Sequence, residues 1–286
     1  MKDDQHFSKN ISKENVRHVL GISGGKDSAA LAIYLKDNHQ EISDKMEYFF
    51  SDTGAELPEI YSFLDKMEGY LGKKIHRLNS EKSFDDWLKQ HNDYLPSARQ
   101  RWCTRMMKLK PFEAFVGDDT VISYIGIRFD ENREGYISHK ETIEAVFPFI
   151  ENKLVREDIF KILEDSVGIP EYYKWRSRSG CYFCFFQRKD EWLGLKRNHP
   201  DLFEKAKEFE GRAREKFIFG EGLKSFGSGQ YTWRQEGTLD EVVQQAEINE
   251  EKNKQNSKKV KPDWKEVLLN EEDDDPEDQA CLICSL

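Results

Sequence analysis

Short apolar runs alternate with segments of helical spacing over the first half of the chain. Four runs predict strands, at residues 16–22, 48–50, 74–78 and 121–127. Apolar residues at helical spacing predict helices over 28–36 and over 58–71, the second ending at Gly72. Strands that alternate with helices are typical of an α/β fold with a doubly wound, mostly parallel sheet.

Helical spacing dominates the second half of the chain, over residues 155–167, 190–196 and 200–216. Residues 219–229 are rich in glycine and predict a loop. Beyond Gly237, low apolar content and the acidic run 271–275 predict a weakly ordered tail. We therefore predict three regions: an α/β domain over 1–150, a helical, cysteine-containing region over 151–235 and a flexible acidic tail over 236–286.

The run SGGKDS, residues 23–28, lies directly between the first strand and the first helix. A glycine turn there points backbone N–H groups and the positive end of a helix dipole at one spot, which suits a phosphate. It is not a Walker A loop, because only three residues separate Gly21 from Gly25 and Lys26, and Asp27 stands in place of the magnesium-binding hydroxyl. The alternative is an ordinary turn.

Length and composition favour a cytoplasmic protein without a membrane segment. The 286 residues suit one sizeable α/β domain and an accessory region. No apolar run approaches the ~18 residues of a spanning helix, and residues 1–10 lack the apolar core of a signal peptide. The five cysteines are therefore expected as metal ligands or reactive thiols rather than disulfides.

The net charge of −10 is carried by the end of the chain. Residues 236–286 contain 15 acidic and 6 basic residues, against 39 and 38 in residues 1–235. Basic residues cluster in two places: Arg99, Arg101, Arg105, Lys108 and Lys110, and Lys174, Arg176, Arg178, Arg188 and Lys189. These clusters are either phosphate-binding surfaces or solvated helix faces.

Four sequence blocks follow one another in a fixed order between residues 16 and 184. They are SGGKDS at 23–28, SDTGAELPE at 51–59, RWCT at 101–104 with Lys108 and Pro111, and GIRFDENR at 126–133. Together they resemble the phosphoadenosine-phosphosulfate-reductase-like branch of the PP-loop ATP pyrophosphatases. The resemblance implies an adenine nucleotide alpha hydrolase-like fold that cleaves ATP between its α and β phosphates, with Mg²⁺, to adenylate a substrate.

The resemblance also implies a set of site residues. Candidate nucleotide contacts are Ser23, Gly24, Gly25, Lys26, Asp27, Ser28, Asp52, Thr53 and Gly126, and candidate catalytic residues are Lys26, Asp27, Arg128 and Arg133. Lys26 would neutralise the leaving pyrophosphate, Asp27 would hold Mg²⁺ or orient Lys26, and the arginines offer planar forks for a phosphate or sulfate. The alternative for Arg128 is a salt bridge to Asp130 or Glu131.

The cysteines decide between members of this branch. Cys181 and Cys184 have metal-ligand spacing, and the resemblance implies that they bind a [4Fe–4S] cluster together with Cys103. Trp102 stands where adenylylsulfate reductases have a second cysteine, which leaves an open iron or a fourth ligand from elsewhere. The alternative is zinc, with His199 as a further ligand.

The terminal pair Cys281 and Cys284 lies outside these blocks and lacks the Glu-Cys-Gly-x-His signature of phosphoadenosine phosphosulfate reductases. Its thiols could receive a persulfide, supply cluster ligands, dock a partner or have no function.

The block pattern is most similar to the ATP-pyrophosphatase subunits of bacterial DNA phosphorothioation systems. That similarity implies adenylation of DNA as the acceptor and sulfur supplied by a cysteine desulfurase partner. The alternatives are an adenylyl- or phosphoadenylylsulfate reductase, a tRNA thiolation enzyme and a non-enzymatic binding module. The sequence leaves the oligomeric state open, a homo-oligomer included.

Overall fold

Five parallel strands form one sheet in the order β3-β2-β1-β4-β5. The computed structural model describes residues 16–131, 140–219, 231–256 and 263–269. The strands are β1 (Arg17–Gly21), β2 (Met46–Asp52), β3 (Ile75–Asn79), β4 (Val121–Tyr124) and β5 (Ile143–Val146). The predicted doubly wound α/β fold is confirmed. The sequence analysis missed β5, a four-residue strand at the sheet edge whose two middle residues are only half-buried.

The strand order reverses at the centre of the sheet. β1 pairs with β2 on one side, where Leu20 lies opposite Tyr48, and with β4 on the other, where Leu20 lies opposite Tyr124. The chain therefore leaves β1 towards β2 and β3 and later returns to the opposite side of β1. In open α/β sheets this reversal opens a crevice at the carboxyl ends of the two central strands, where ligands bind.

Six α-helices connect the strands. They are α1 (Lys26–Asn38), α2 (Gln40–Lys45), α3 (Pro58–Leu71), α4 (Phe84–Gln90), α5 (Trp102–Thr104) and α6 (Lys110–Val116), with a π-helical segment, Arg105–Leu109, between the last two. The bounds of α3 follow from its sequence, because Pro58 suits the first helical turn and Gly72 adopts φ 68° immediately after the helix. Ser83 and Asp86 form a capping box at the start of α4.

Alternating side chains of the strands fill two cores, one on each face of the sheet. Leu20, Tyr48 and Ile122 belong to the larger core, which includes buried residues of α1 and α3. Val19 and Phe49 point to the other face and pack with α6. Because successive residues of a strand face opposite sides, helices cover both faces of the sheet.

The second half of the chain is mainly helical. Its helices are α7 (Pro148–Glu151), α8 (Arg156–Glu164), α9 (Lys189–Asn198), α10 (Pro200–Phe219), α11 (Leu239–Asn256) and α12 (Trp264–Leu269), with a 3₁₀ helix at Glu171–Lys174. The predicted helices near 155–167, 190–196 and 200–216 are confirmed as α8, α9 and α10. The glycine-rich loop predicted over 219–229 lies outside the described residues, apart from Phe219 at the end of α10.

The prediction of a weakly ordered tail is wrong for the segment that forms α11. Leu239, Val242, Val243 and Ala246 are buried, and helical spacing places them on one face of the helix. One narrow apolar stripe is enough to dock a helix even where the overall composition is polar. The rest of that region, with the acidic run, Cys281 and Cys284, lies outside the described residues, except for α12.

No helix in the described parts of the chain combines the length and the apolar character that crossing a membrane requires.

We predict that α11 is an integral part of the fold. Leu239 is fully buried, so Leu239→Ala should lower the free energy of unfolding by about 2–5 kcal/mol. The matched control is Ile248→Ala on the same helix, because Ile248 is 39% exposed and its truncation should change stability by less than about 0.5 kcal/mol. Urea denaturation measures both, and equally small effects would contradict the docking of α11.

Candidate active site

The loop after β1 makes a tight turn that only glycine fits at residue 24. Gly24 adopts φ 76°, and a Cβ on it would lie 2.6 Å from Cγ2 of Ile60. Both the positive φ and the close approach exclude other residues at this position. The chain then enters α1 at Lys26, with Gly25 at the N-cap, so this helix starts at the crevice between β1 and β4.

The two serines of the loop hold its shape. The Ser23 N–H donates to Oγ of Ser28 at 3.1 Å, and the Gly25 N–H donates to Oγ of Ser23 at 3.3 Å. The Ser28 hydroxyl donates to the Gly25 carbonyl at 3.3 Å. The predicted nucleotide contacts between Ser23 and Ser28 therefore form one compact, hydrogen-bonded turn, referred to below as the phosphate loop.

A line of alternating charges lies at the start of α1 and consists of Lys26, Asp27 and Arg128. Lys26 Nζ lies 3.2 Å from Asp27 Oδ2, and Arg128 Nη1 lies 3.0 Å from Asp27 Oδ1. Burial by itself would lower the pKa of Lys26, but the charge of Asp27 and the Tyr173 phenol outweigh it and raise the pKa. Lys26 is therefore held as a cation beside the phosphate loop.

Arg128 is only 1% exposed, and its guanidinium is surrounded by carboxylates. Besides Asp27 it pairs with Asp130 at 3.0 Å and Glu131 at 2.9 Å, so the salt bridges weighed on the sequence are present. β4 ends at Tyr124, which places Arg128 in the loop that follows it. In this arrangement Arg128 positions Asp27 directly.

Gly126 brings the loop after β4 against the start of α1. A Cβ on Gly126 would lie 3.0 Å from the carbonyl oxygen of Asp27 and 3.4 Å from the Ser28 nitrogen. The absence of a side chain therefore allows the two backbones to touch. The remaining candidate of this block, Arg133, lies outside the described residues.

A segment that the sequence analysis did not assign to the site contacts the phosphate loop from the helical region. The Lys26 N–H donates to the Tyr173 hydroxyl at 2.9 Å, and the Tyr172 hydroxyl donates to the Gly24 carbonyl at 2.9 Å. Further along, Oγ of Ser179 lies 3.3 Å from Oγ of Ser23. The one sequence signal for these residues is their place just before Cys181. We call residues 172–184 the bridging segment.

Asp52 ends β2 and Thr53 follows it directly, but their side chains take different partners. Asp52 Oδ1 accepts hydrogen bonds from the Gly54 N–H at 2.9 Å and from the Tyr61 hydroxyl at 2.8 Å. Thr53 donates to Oε1 of Glu56 at 2.7 Å, and its Oγ1 lies 3.2 Å from Sγ of Cys181. Thr53 therefore contacts a cysteine, a placement that the sequence did not indicate.

Glu56 is a further site residue that the sequence analysis quoted only as part of a block. Its Oε1 lies 3.8 Å from Sγ of Cys181, and its Oε2 accepts from the Ala55 N–H at 3.1 Å. Burial raises the pKa of Glu56. A carboxyl group buried beside a cysteine, two residues before a proline, gives no distinctive sequence pattern.

The three described cysteines are free thiols that lie close together. Cys103, Cys181 and Cys184 are each partly buried. Burial raises the pKa of Cys103 to about 12 and that of Cys181 well above its usual value, and the neighbouring Cys184 adds to both shifts. Lys108 lies within electrostatic range of Cys103 and Cys181 and acts in the opposite direction. The structure thus places Cys184 within electrostatic range of both other predicted cluster ligands.

The zinc alternative considered on the sequence stays a prediction. In the described ranges, no three His, Cys, Asp or Glu side chains are arranged as ligands of a single metal ion. His199 Nε2 is hydrogen-bonded to Glu59 Oε1 at 2.8 Å, which gives this side chain a different partner. Three cysteine thiols are donors that both an iron–sulfur cluster and a zinc ion accept.

Trp102 is part of the protein core. It is 8% exposed, stacks on Phe84 at 5.3 Å between ring centroids and on His91 at 4.7 Å, and its Nε1–H donates to the Tyr94 carbonyl at 3.1 Å. The side chain that replaces a cysteine next to Cys103 is therefore used for packing.

Residues 17–151 match the model of the phosphoadenosine phosphosulfate reductase domain. The matched residues include the phosphate loop, Cys103 and Arg128.

Two uncharacterized proteins of Methanocaldococcus jannaschii are related to a larger part of the chain. One is 30% identical over 243 residues, which cover 80% of this chain and 48% of the relative. The other is 28% identical over 197 residues, which cover 64% of this chain and 45% of the relative. The chain thus spans about half the length of the curated relatives it matches.

Two solved structures show a weaker similarity, each with 13% sequence identity. One is a phosphoadenylyl-sulfate reductase from Candida auris in a phosphate complex, with a TM-score of 0.42, covering 56% of this chain and 76% of that one. The other is a U34-tRNA thiolase from Methanococcus maripaludis with its [4Fe–4S] cluster, with a TM-score of 0.38 and coverage of 84% of each chain.

We predict that Gly24 is required for stability not only because of its positive φ but also because a side chain there would clash with a neighbour. Gly24→Ala and Gly54→Ala both place a side chain at positive φ, 76° and 68°, but only the first meets a neighbour, since no atom lies within 4 Å of a Cβ on Gly54. Gly24→Ala should therefore lose about 1–3 kcal/mol more stability than Gly54→Ala. Thermal and urea unfolding measure this difference, and equal losses would show that the Ile60 contact is unimportant.

Proposed function

We propose that the protein is an ATP pyrophosphatase that adenylates an acceptor oxygen so that sulfur can replace it. One observation carries this proposal: the bridging segment joins the phosphate loop to two free cysteines, Cys181 and Cys184. Ser179 contacts Ser23 of the loop, and Cys181, two residues later, contacts Thr53 at the end of β2. In this proposal a nucleotide-activating site and a sulfur-handling site are neighbours.

The phosphate loop supplies what cleavage between the α and β phosphates needs. In this reaction the acceptor oxygen bonds to the α-phosphorus of ATP, the bond to the β-phosphate oxygen breaks, and pyrophosphate leaves with the electron pair. Lys26, held as a cation, stabilises the charge on that leaving group. Asp27 orients Lys26 and offers a carboxylate for Mg²⁺.

Cys103, Cys181 and Cys184 would hold a [4Fe–4S] cluster as thiolates. When bound, such a cluster with three protein ligands supplies an open iron site for a sulfur donor. Metal binding would release the thiol protons, because burial keeps Cys103 and Cys181 protonated without metal. Lys108 would offset the negative charge of the thiolates.

The acceptor in this proposal is the DNA backbone. Adenylation of a non-bridging phosphate oxygen turns it into a leaving group, sulfur displaces AMP, and the product is a phosphorothioate. A cysteine desulfurase partner would supply the sulfur as a persulfide, whose outer sulfur bonds to the phosphorus as AMP leaves. A second thiol, as the reductant, then breaks the S–S bond, which forms a disulfide and leaves the phosphorothioate. Two arginine-containing segments around the cysteines support a polyanionic acceptor.

A second candidate is reduction of adenylyl- or phosphoadenylylsulfate, which the match to the reductase domain favours. This reaction would release sulfite and AMP or its 3′-phosphorylated form, with electrons from a thiol reductant. Sulfite release measured with both sulfonucleotides and a dithiol reductant separates the candidates. Release at a rate comparable with ATP cleavage would replace the sulfur-insertion proposal.

We predict that ATP, Mg²⁺ and the protein give AMP and pyrophosphate, measured by ion-exchange chromatography. Lys26→Ala should slow this by at least about 100-fold, since it removes the cation at the leaving group. The control Lys66→Ala, at an exposed position of α3, should leave the rate unchanged. ADP and phosphate as the products would overturn the proposal.

We also predict that anaerobically reconstituted protein binds iron and sulfide and absorbs visible light, and that Cys103→Ser, Cys181→Ser and Cys184→Ser each lose this cluster. The double variant Cys281→Ser/Cys284→Ser should keep it. Metal analysis and absorption spectra provide the readout. Loss in the double variant would assign a ligand to the terminal pair instead of an open iron, and zinc in place of iron would contradict the cluster.

A further inference from the structure

Two segments of the chain that contain no acidic residue meet at the cysteines. Residues 94–112 and residues 172–189 each contain five basic residues and no Asp or Glu. The first includes Cys103, and the second includes Cys181 and Cys184. Since acidic residues make up 54 of the 286 positions, their absence from both segments concentrates positive charge around the thiols. Carboxylates outside the second segment offset part of this charge, since Lys174 pairs with Glu171 and Lys189 with Glu236.

The ring of Phe186 brings arginines from the two segments together. The guanidinium carbon of Arg101 lies 4.9 Å from the ring centroid, and that of Arg178 lies 5.4 Å from it. Each cation gains from the ring, but the two like charges repel one another. The buried carboxylate of Glu191 compensates the charge of Arg178. Burial alone would raise the pKa of Glu191, but the charges of Arg178 and Arg176 lower it.

Arg105 extends this positive surface along the helical segment after Arg101. The Arg105 N–H donates to the Arg101 carbonyl at 3.2 Å, so the two residues lie one turn apart on the same helix face. Arg99 and Arg105 are exposed and make no ion pair with any residue that the structure describes. We call Arg99, Arg101, Arg105 and Arg178 the arginine face.

The arginine face borders the proposed reaction site. Arg101 lies two residues before Cys103, and Arg178 directly precedes Ser179, which contacts Ser23 of the phosphate loop. A strand of phosphates bound along the face would therefore pass beside both the cysteines and the phosphate loop. Phe186 is only 8% exposed, so its ring is not available for stacking with bases. Backbone contacts are therefore favoured over base recognition.

We propose that the arginine face binds the phosphodiester backbone of duplex DNA as the acceptor. This inference rests on the proposed function. Guanidinium groups match phosphate oxygens in planar, paired hydrogen bonds, and cations distributed over two segments suit a linear polyanion better than a single mononucleotide. The affinity for DNA is then insensitive to base sequence and strongly dependent on salt.

The test measures binding of a fluorescein-labelled 20-base-pair duplex by anisotropy over a series of salt concentrations. The test variant is Arg101→Gln/Arg105→Gln, and the matched control is Lys66→Gln/Lys205→Gln, which removes two exposed cations elsewhere. We expect at least a tenfold loss of affinity in the test variant. Its log–log salt slope should be less steep by about 2, because each phosphate contact contributes about 0.9. The control should bind like the unaltered protein.

Two results would overturn the inference: no binding of the duplex by the unaltered protein, or equal affinities of the two double variants. Tighter binding of a single-stranded RNA of equal length would replace DNA by RNA as the partner. Binding of α,β-methylene-ATP by calorimetry, unchanged in the test variant, confirms that the phosphate loop is intact. If arginine-dependent DNA binding persists while ATP gives no AMP, the proposed function fails and the arginine face stands.

Discussion

The hydrogen bonds of Tyr172, Tyr173 and Ser179 to the phosphate loop are the contacts on which the site depends. They fasten a segment of the helical region to the carboxyl end of β1. Because this segment continues to Cys181 and Cys184, the same contacts place the cysteines next to the end of β2. Without them, the loop and the thiols would belong to separate parts of the chain.

Buried charge gives the site its second constraint. Arg128 lies inside the protein among Asp27, Asp130 and Glu131, and removing one partner of such a group typically costs several kcal/mol. That cost fixes Asp27, and Asp27 in turn keeps Lys26 charged. The role of Arg128 is therefore indirect: it holds the carboxylate that faces the lysine.

Sequence signals were sufficient to predict those elements whose conformation depends on consecutive residues. The glycine turn at 23–28 and the bounds of α3 follow from strand, turn and cap chemistry in consecutive residues. Thr53 and Tyr173 could not be placed in this way, because each finds its partner more than a hundred residues away. Helix α11 was missed for a related reason. Its few apolar residues can be recognised as a buried face only when the helix that packs against them, α9, is known.

We expect the phosphate loop and the bridging segment to respond to nucleotide as one unit. Hydrogen exchange followed by mass spectrometry, with and without α,β-methylene-ATP, tests this most directly. A phosphate bound at the loop would take the Lys26 N–H, which donates to the Tyr173 hydroxyl in this structure, so exchange should change together in peptides covering 23–28 and 172–184. A change confined to 23–28 would contradict the coupling of the two sites.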